Sequence, residues 1–261
     1  MVVDAQIENG QAPTVVLTKS LDYFGKISPQ ILAASFVHNA VITVSNGALT
    51  QQLKEYTIPL GGAYTGYYYS IDSANLPTAF LGEFNKQYTL NIKSEGKEYT
   101  SSTTIPLLTK FPDSLWFVKA PQSPDTNRRV LMARITDPPG LGNYVRYFTR
   151  INRGPFLPGF NSVYNDEVVD GTTYQGQVEP GVDRNNLPGL GENFFVKGDT
   201  VTLKLSNIDK ATYRFWNTWE FAQQSIGNPF SQPGKVIGNI SNDALGAFCG
   251  YASWFGTIIA R

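Results

Sequence analysis

The sequence has one cysteine, Cys249, and one histidine, His38. A lone cysteine excludes an internal disulfide and any cysteine-rich metal site, and it leaves the compartment open. A lone histidine means that any serine–histidine–aspartate triad must use His38, in "SFVHNAV", where a solvated or core-edge imidazole is the simpler reading. Charge is also scarce: 16% of residues against roughly 25% in an average soluble domain. Neither sign prevails, since 21 acids balance 21 bases. With no global field and no basic stripe, nucleic acid is excluded as a partner, and nothing draws the chain to an anionic membrane. No apolar run approaches the roughly 18 residues that cross a bilayer. The start, "MVVDAQIENG", lacks the basic and apolar regions of a signal peptide. No phosphate-cradling G-x-x-x-x-G-K-[ST] loop follows a strand.

What the chain has instead is turns and rings: 24 glycines, 16 prolines and 13% aromatic residues. Val3, Ala5 and Ile7 alternate with polar residues, Asn9-Gly10 turns the chain, and "TVVLTKS" follows. Asn-Gly suits the positive backbone angles of a tight hairpin turn. The arrangement recurs around Asn46-Gly47 and Glu95-Gly96. Such a run of hairpins without helical period predicts a β-sandwich, immunoglobulin- or fibronectin-like, over residues 1–107. "SPQILAASF", residues 28–36, is the exception, a short helical turn or a loop.

Pro106 and Pro112 bracket a linker-like stretch, which puts a domain boundary near Leu108. A second, larger β-sandwich is expected over residues 108–261, from "SLWFVKA", "RRVLMARITD", "NYVRYFTRINR" and "DTVTLKLSNI". Between the last two lies a loop-rich insertion, residues 154–192, and insertions of that length are usually functional or mobile. One helix is predicted over about 210–224, with Asp209 as N-cap and Gly227 beyond its end. Its Phe215, Trp219 and Ala222 share a face that packs on a sheet. The chain then ends in a strand holding Cys249, with Gly250 and Gly256 allowing close backbone approach. "FCGYASW" has the cysteine-glycine pattern of a papain-like nucleophile. That chemistry needs the sulfur near a helix N-terminus and the cysteine ahead of its histidine. Cys249 meets neither condition and reads as a small buried thiol.

Three constellations could carry chemistry. Asp166, Glu167, Asp170, Glu179, Asp183 and Glu192 surround a single Arg184. Acidic loops of this kind can supply oxygen ligands to Ca²⁺, so Asp166, Glu167, Asp170 and Asp183 are candidate metal ligands. The calcium-loop spacing is absent, however, and Asp170-Gly171 is also a plain turn. In "GGAYTGYYYS", Tyr64, Tyr67 and Tyr69 are candidate ligand-binding rings, able to stack on sugars or partner side chains; the competing reading is cross-strand packing. A pair of carboxylates suffices for a glycosidase, and the chain has many carboxylates, but nothing in the sequence selects a pair.

The segments "VVDAQIENGQAPTVVLTKSLDYF", "GKEYTSSTTIP", "ITDPPGLGNYVRYF", "KGDTVTLKLSNIDKATYRFWNT" and "NPFSQPGKVIGNISNDALGAFCGYA" together resemble a widespread family of uncharacterised Bacteroidota cell-envelope lipoproteins. The similarity spreads over nearly the whole chain. It implies an export signal, a lipid-modified cysteine just before the first strand, and a place on the outer membrane. It also implies genes beside TonB-dependent transporters. Leader and lipobox are missing from these residues: either the protein is cytosolic or they were removed ahead of Met1, and the resemblance favours removal. The expectation is therefore a non-catalytic, surface-exposed binding lipoprotein without a cofactor. Its partner would be an outer-membrane transporter or another surface protein, and it would meet the membrane only through its lipid. The alternative is a secreted carbohydrate-active hydrolase.

Overall fold

A computed structural model of the protein describes residues 1–21, 28–61, 64–121, 123–184, 186, 189, 193–225 and 234–261. The chain begins with β1 (Val2–Glu8), β2 (Thr14–Thr18), α1 (Pro29–Ser35), β3 (Val41–Ser45) and β4 (Thr50–Gly61). It continues through β5 (Tyr64–Ile71), β6 (Lys86–Ser94), β7 (Lys97–Ile105), β8 (Pro112–Lys119) and β9 (Arg128–Thr136). Then follow β10 (Tyr144–Ile151), β11 (Leu157–Tyr164), β12 (Thr173–Val178), β13 (Phe195–Val196) and β14 (Thr200–Ile208). Helix α2 (Lys210–Gln224) and the long β15 (Leu245–Ile259) complete it. The protein is mainly β, with the open sheets of a sandwich, as its turn-rich sequence predicts.

Two compact units divide the chain: Met1–Pro106 with Arg214–Tyr251, and Leu107–Tyr213 with Ala252–Arg261. Residues 214–251 thus return to the first unit. They return because β15 pairs in parallel with β1, from Val2↔Leu245 to Glu8↔Tyr251. A parallel partner so distant in sequence carries no local turn signal.

Within the first unit the strands follow the order β15-β1-β2-β5-β4-β3-β6-β7. The hairpins β1–β2, β3–β4 and β6–β7 sit where the glycine turns predict them, and Gly10, Gly47 and Gly96 all take positive φ. Strand β4 serves two partners, pairing with β3 through Thr50–Gln52 and with β5 from Leu53 onward. Val3, Ala5 and Ile7 are buried, as their alternation requires. α1 forms over the ambiguous "SPQILAASF": Ser28 Oγ accepts from Ile31 N and Pro29 opens the first turn. Cys249 is buried within β15 opposite Gln6. Gly250 lies against the backbone of β7, where an added Cβ would meet Thr104 O at 2.5 Å.

The outer edge of β7 is closed by residues 239–242. Ser241 N donates to Thr100 O (2.9 Å), Thr100 N to Ser241 Oγ (2.7 Å) and Asn242 Nδ2 to Glu98 O (2.6 Å). An uncovered edge strand invites pairing with other chains, and this strap occupies it. Asn239 completes the strap on the other side: its Nδ2 donates to Phe248 O and its Oδ1 accepts from Phe248 N, both at 2.8 Å.

In the second unit β12 and β8 flank β9, which also pairs with the short β13. Strands β11, β10 and β14 pair in that order, apart from the β9 sheet, and Ser206 of β14 meets Ser253 of β15 at 2.7 Å. Residues 154–192, expected to be loop-rich, contain the strands β11 and β12 among the described residues. Alternation failed to show β12 because Gly176 breaks its inward row of Tyr174, Gly176 and Val178. Helix α2 spans its predicted range, and Asp209 Oδ1 accepts from Thr212 N at 2.7 Å. Gly227 lies outside the described residues. Trp216 packs edge-on against Phe215 and Trp219, and its Nε1 donates to Tyr251 Oη at 2.8 Å.

Asn239→Ala leaves the N–H and C=O of fully buried Phe248 without their partners. At roughly 1–3 kcal/mol for each of these two unsatisfied groups, the expected loss is about 2–6 kcal/mol in urea unfolding. Wild-type stability in this variant would show that the amide is dispensable.

Candidate functional site

Strands β9 and β12 run antiparallel with Gly176 opposite Ala133, Tyr174 opposite Ile135 and Val178 opposite Leu131. On the inward face, two residues with almost no side chain thus sit side by side within a row of large ones. The facing layer is Val145 and Tyr147 of β10 with Leu203 and Leu205 of β14, a buried cluster that Leu115, Ile135, Val178 and Trp254 also touch. The missing volume is a cavity of about 240 Å³. Tyr147 and Tyr164 form one wall, stacked at 6.2 Å between ring centroids and 24° between planes. Tyr174 is part of the opposite wall, and Tyr164, Asn165 and Gln177 lie at the rim.

A polar network adjoins this cavity. Lys110, 1% exposed, pairs its Nζ with Asp137 Oδ1, and the Tyr174 ring centroid lies 5.6 Å from the same nitrogen. The Lys110 backbone is clamped by Asn207, whose Oδ1 accepts from Lys110 N (2.9 Å) and whose Nδ2 donates to Lys110 O (2.7 Å). Carboxylate oxygens of Asp137, Asp166 and Asp170 all come within 4.8 Å of one another. Backbone donors occupy them: Asp166 Oδ2 accepts from Gly142 N and Asn143 N, both at 2.8 Å, and Asp170 Oδ1 from Gly140 N at 2.7 Å. Gly140 and Gly142 have φ of +109° and +119°, a backbone that residues with side chains rarely adopt. Those two conformations aim the N–H groups of "DPPGLGN" at the acids. Burial would push the Asp166 carboxyl up, but hydrogen bonds from Asn143, its own backbone and Gly142 outweigh it and hold the group below its ordinary value.

Of the four metal ligands predicted from sequence, Asp166 and Asp170 come together, joined by Asp137, which the sequence reading missed. Its signal was the glycine-rich loop that follows it. Glu167 and Asp183 are exposed and outside the cluster, and Glu192 lies outside the described residues. Glu167 instead influences Tyr213, whose hydroxyl is pushed up by burial first, then by Glu167 and Tyr144. The three clustered aspartates are the residues that could hold a cation. A hard ion wants six to eight oxygens, whereas here the ammonium of Lys110 already takes one acid and N–H groups take others.

The tyrosines expected to form a stacking patch separate. Tyr69 is 2% exposed, with its hydroxyl 2.9 Å from both Val37 O and Glu55 Oε2; Ala40 N donates to it at 3.3 Å. Burial, then the Glu55 carboxylate, pushes its hydroxyl up to about 12 despite the Ala40 bond. Tyr69 therefore offers no face to a ligand, because its place in the strand points it inward. Tyr67 is half-buried, edge-on to His38 at 4.3 Å, and Tyr64 is half-buried at the start of β5. His38 Nδ1–H donates to Glu55 Oε1 at 2.5 Å. Burial raises the Glu55 carboxyl, but bonds from His38, Tyr69 and Asn39 more than compensate and lower it from 4.5.

Fold and cavity together define a mainly β, sandwich-type protein whose second unit holds a partly open, largely apolar cavity. A family model described as a domain of unknown function, DUF4249, matches residues 1–253, and the chain belongs to that family. No curated protein matches it.

Lys110→Met strands the buried Asp137 carboxylate and should cost about 3–5 kcal/mol in denaturant unfolding. In the same assay, millimolar calcium should leave the wild-type melting temperature unchanged; a saturable rise would mean that the aspartates take a metal after all. A separate consequence concerns pH. A lowered carboxyl contributes stability above its ordinary value of 4.5 and loses it as pH falls through the folded value. The stability gap between wild type and Glu55→Gln should therefore be full at neutral pH and shrink below about 4.5. A gap that stays constant from neutral to acid pH would contradict this.

Proposed function

We propose that the chain is a non-catalytic binding component of the bacterial cell envelope. In this reading it is a surface lipoprotein, held by a lipid anchor ahead of Met1 and working beside an outer-membrane transporter in nutrient uptake. One observation carries the binding part: among the described residues, the cavity of about 240 Å³ is lined by aliphatic residues, three tyrosines and the amides of Asn165 and Gln177, with no carboxylate, imidazole, amine or thiol. Such a space can hold a molecule, and apart from the tyrosine hydroxyls its lining presents no group suited to moving a proton or attacking a bond. The envelope part rests on the motifs shared with lipoproteins of the Bacteroidota. Two of those motifs have structural work: "ITDPPGLGNYVRYF" forms the loop that donates to Asp166 and Asp170, and "GNISND" closes the edge of β7.

A secreted carbohydrate-active hydrolase is favoured by one feature, the approach of three aspartate carboxylates to within 4.8 Å. Retaining glycosidases place two carboxyl groups about 5 Å apart. Such an enzyme also needs a carboxyl that keeps its proton, whereas Asp166 is held below its ordinary value and bound by backbone donors.

Two experiments separate the readings. The anchored protein, cross-linked and recovered from outer membranes of its own cell, should bring a transporter with it; recovery of itself alone counts against that partner. A panel of aryl glycosides should show no turnover above buffer. Turnover that disappears in Asp166→Asn would replace binding with hydrolysis.

A further inference from the structure

We infer that the cavity of the second unit binds an uncharged, planar, apolar molecule of about two fused rings. This rests on the binding reading above and narrows it to a ligand class. Size comes first: a cavity of ~150 Å³ takes one benzene ring, and this one has about 240 Å³. Shape follows from the register. Nothing lies within 4 Å of the position that a Cβ on Gly176 would occupy, and Gly176 sits between Tyr174 and Val178 with Ala133 opposite. Two sheets pack roughly 10 Å apart when side chains from both fill the gap. Where one sheet contributes almost none, the remaining slot is one side chain thick and bounded by the flat faces of the layers. Rings fit such a slot better than branched chains do.

Charge is excluded by the lining. Val145, Leu203, Leu205, Ile135 and Val178 offer no counter-ion, and an unpaired charge buried among them would cost several kcal/mol. A single hydroxyl or carbonyl is tolerated, because tyrosine hydroxyls and the Asn165 amide lie among the lining groups. Entry is from the rim, where Tyr164 is 49% exposed. Its ring already stacks on Tyr147, so the ligand meets an aromatic wall as it enters.

The probe is 2-naphthol, titrated by calorimetry against the full chain, with 2-naphthoate as its charged counterpart. Saturable one-to-one binding of 2-naphthol is expected, with at least tenfold weaker binding of 2-naphthoate. Gly176→Leu and Ala133→Leu fill the slot from neighbouring strands, so both should lose binding while melting at or above the wild-type temperature. Gln175→Leu changes the outward face of the same strand and should bind like wild type. Should both filling variants fail to fold, intermolecular NOEs from 2-naphthol to the methyls of Val145, Leu203 and Leu205 decide the matter in the wild type. The inference is overturned by absent binding, by equal affinity for naphthoate, by binding that survives in Gly176→Leu, or by missing NOEs. If 2-naphthol fails but another molecule binds and is displaced by Gly176→Leu, the ligand class falls while the binding reading stands. If no ligand responds to either filling variant, both fall.

Discussion

An ammonium buried at Lys110 sets the order of the second unit. Removing such a charge from water costs several kcal/mol unless acceptors surround it, and Asp137 supplies the nearest. That acid sits among others, because Asp166 and Asp170 approach within 4.8 Å. Three carboxylates and one ammonium leave a local excess of negative charge, which must find donors. The peptide N–H groups of Gly140, Gly142 and Asn143 provide them, pointed inward by a loop whose two glycines take positive φ. The loop motif is therefore a consequence of the lysine. So is one wall of the cavity: the Tyr174 ring lies within cation–π distance of Lys110 Nζ, which links the polar network to the apolar space beside it.

A second device recurs in both units. Asn207 bonds to the N–H and C=O of Lys110, and Asn239 bonds to the N–H and C=O of Phe248. In each case one side-chain amide satisfies both backbone groups of a single residue, as a neighbouring strand would. The substitution suits places where the chain bends away from a ladder but must keep buried peptide groups paired. It also explains why asparagine in "KLSNIDK" and "IGNISND" carries more structural weight than its polar character suggests.

Local features were legible in the sequence and distant ones were not. Asn9-Gly10, Asn46-Gly47 and Glu95-Gly96 mark their hairpins because backbone angle is a property of the turn itself. Asp209 and the aromatic stripe mark α2 for the same reason, and Ser28 with Pro29 marks α1. Register between strands far apart is set by packing, so the parallel pairing of β1 with β15 left no trace. The acidic loop was half legible: Asp166 and Asp170 stand in an evident acidic run, while Asp137 reaches them only through the pairing of β9 with β12. The tyrosine cluster misled because three rings in one strand look alike in sequence, yet strand geometry turns Tyr69 inward. Gly176 misled in the opposite sense. It reads as an interruption of a strand, and in the structure it is the residue whose missing side chain leaves the cavity.

Natural cores are packed to crystal density, and a hole on the order of the one beside Gly176 is normally filled by any of several single substitutions. Ala133 and Gly176 stand opposite each other on strands that could carry valine or leucine without strain, since neither is at a positive φ. The surrounding side chains are large and ordered around the gap, with Tyr147 and Tyr164 stacked beside it and the Lys110 network behind Tyr174. A packing accident would leave its neighbours free to collapse inward. Here the neighbours are held back by stacking and by a buried charge, and scaffolding of that kind is what the proposed binding role would require of an open cavity.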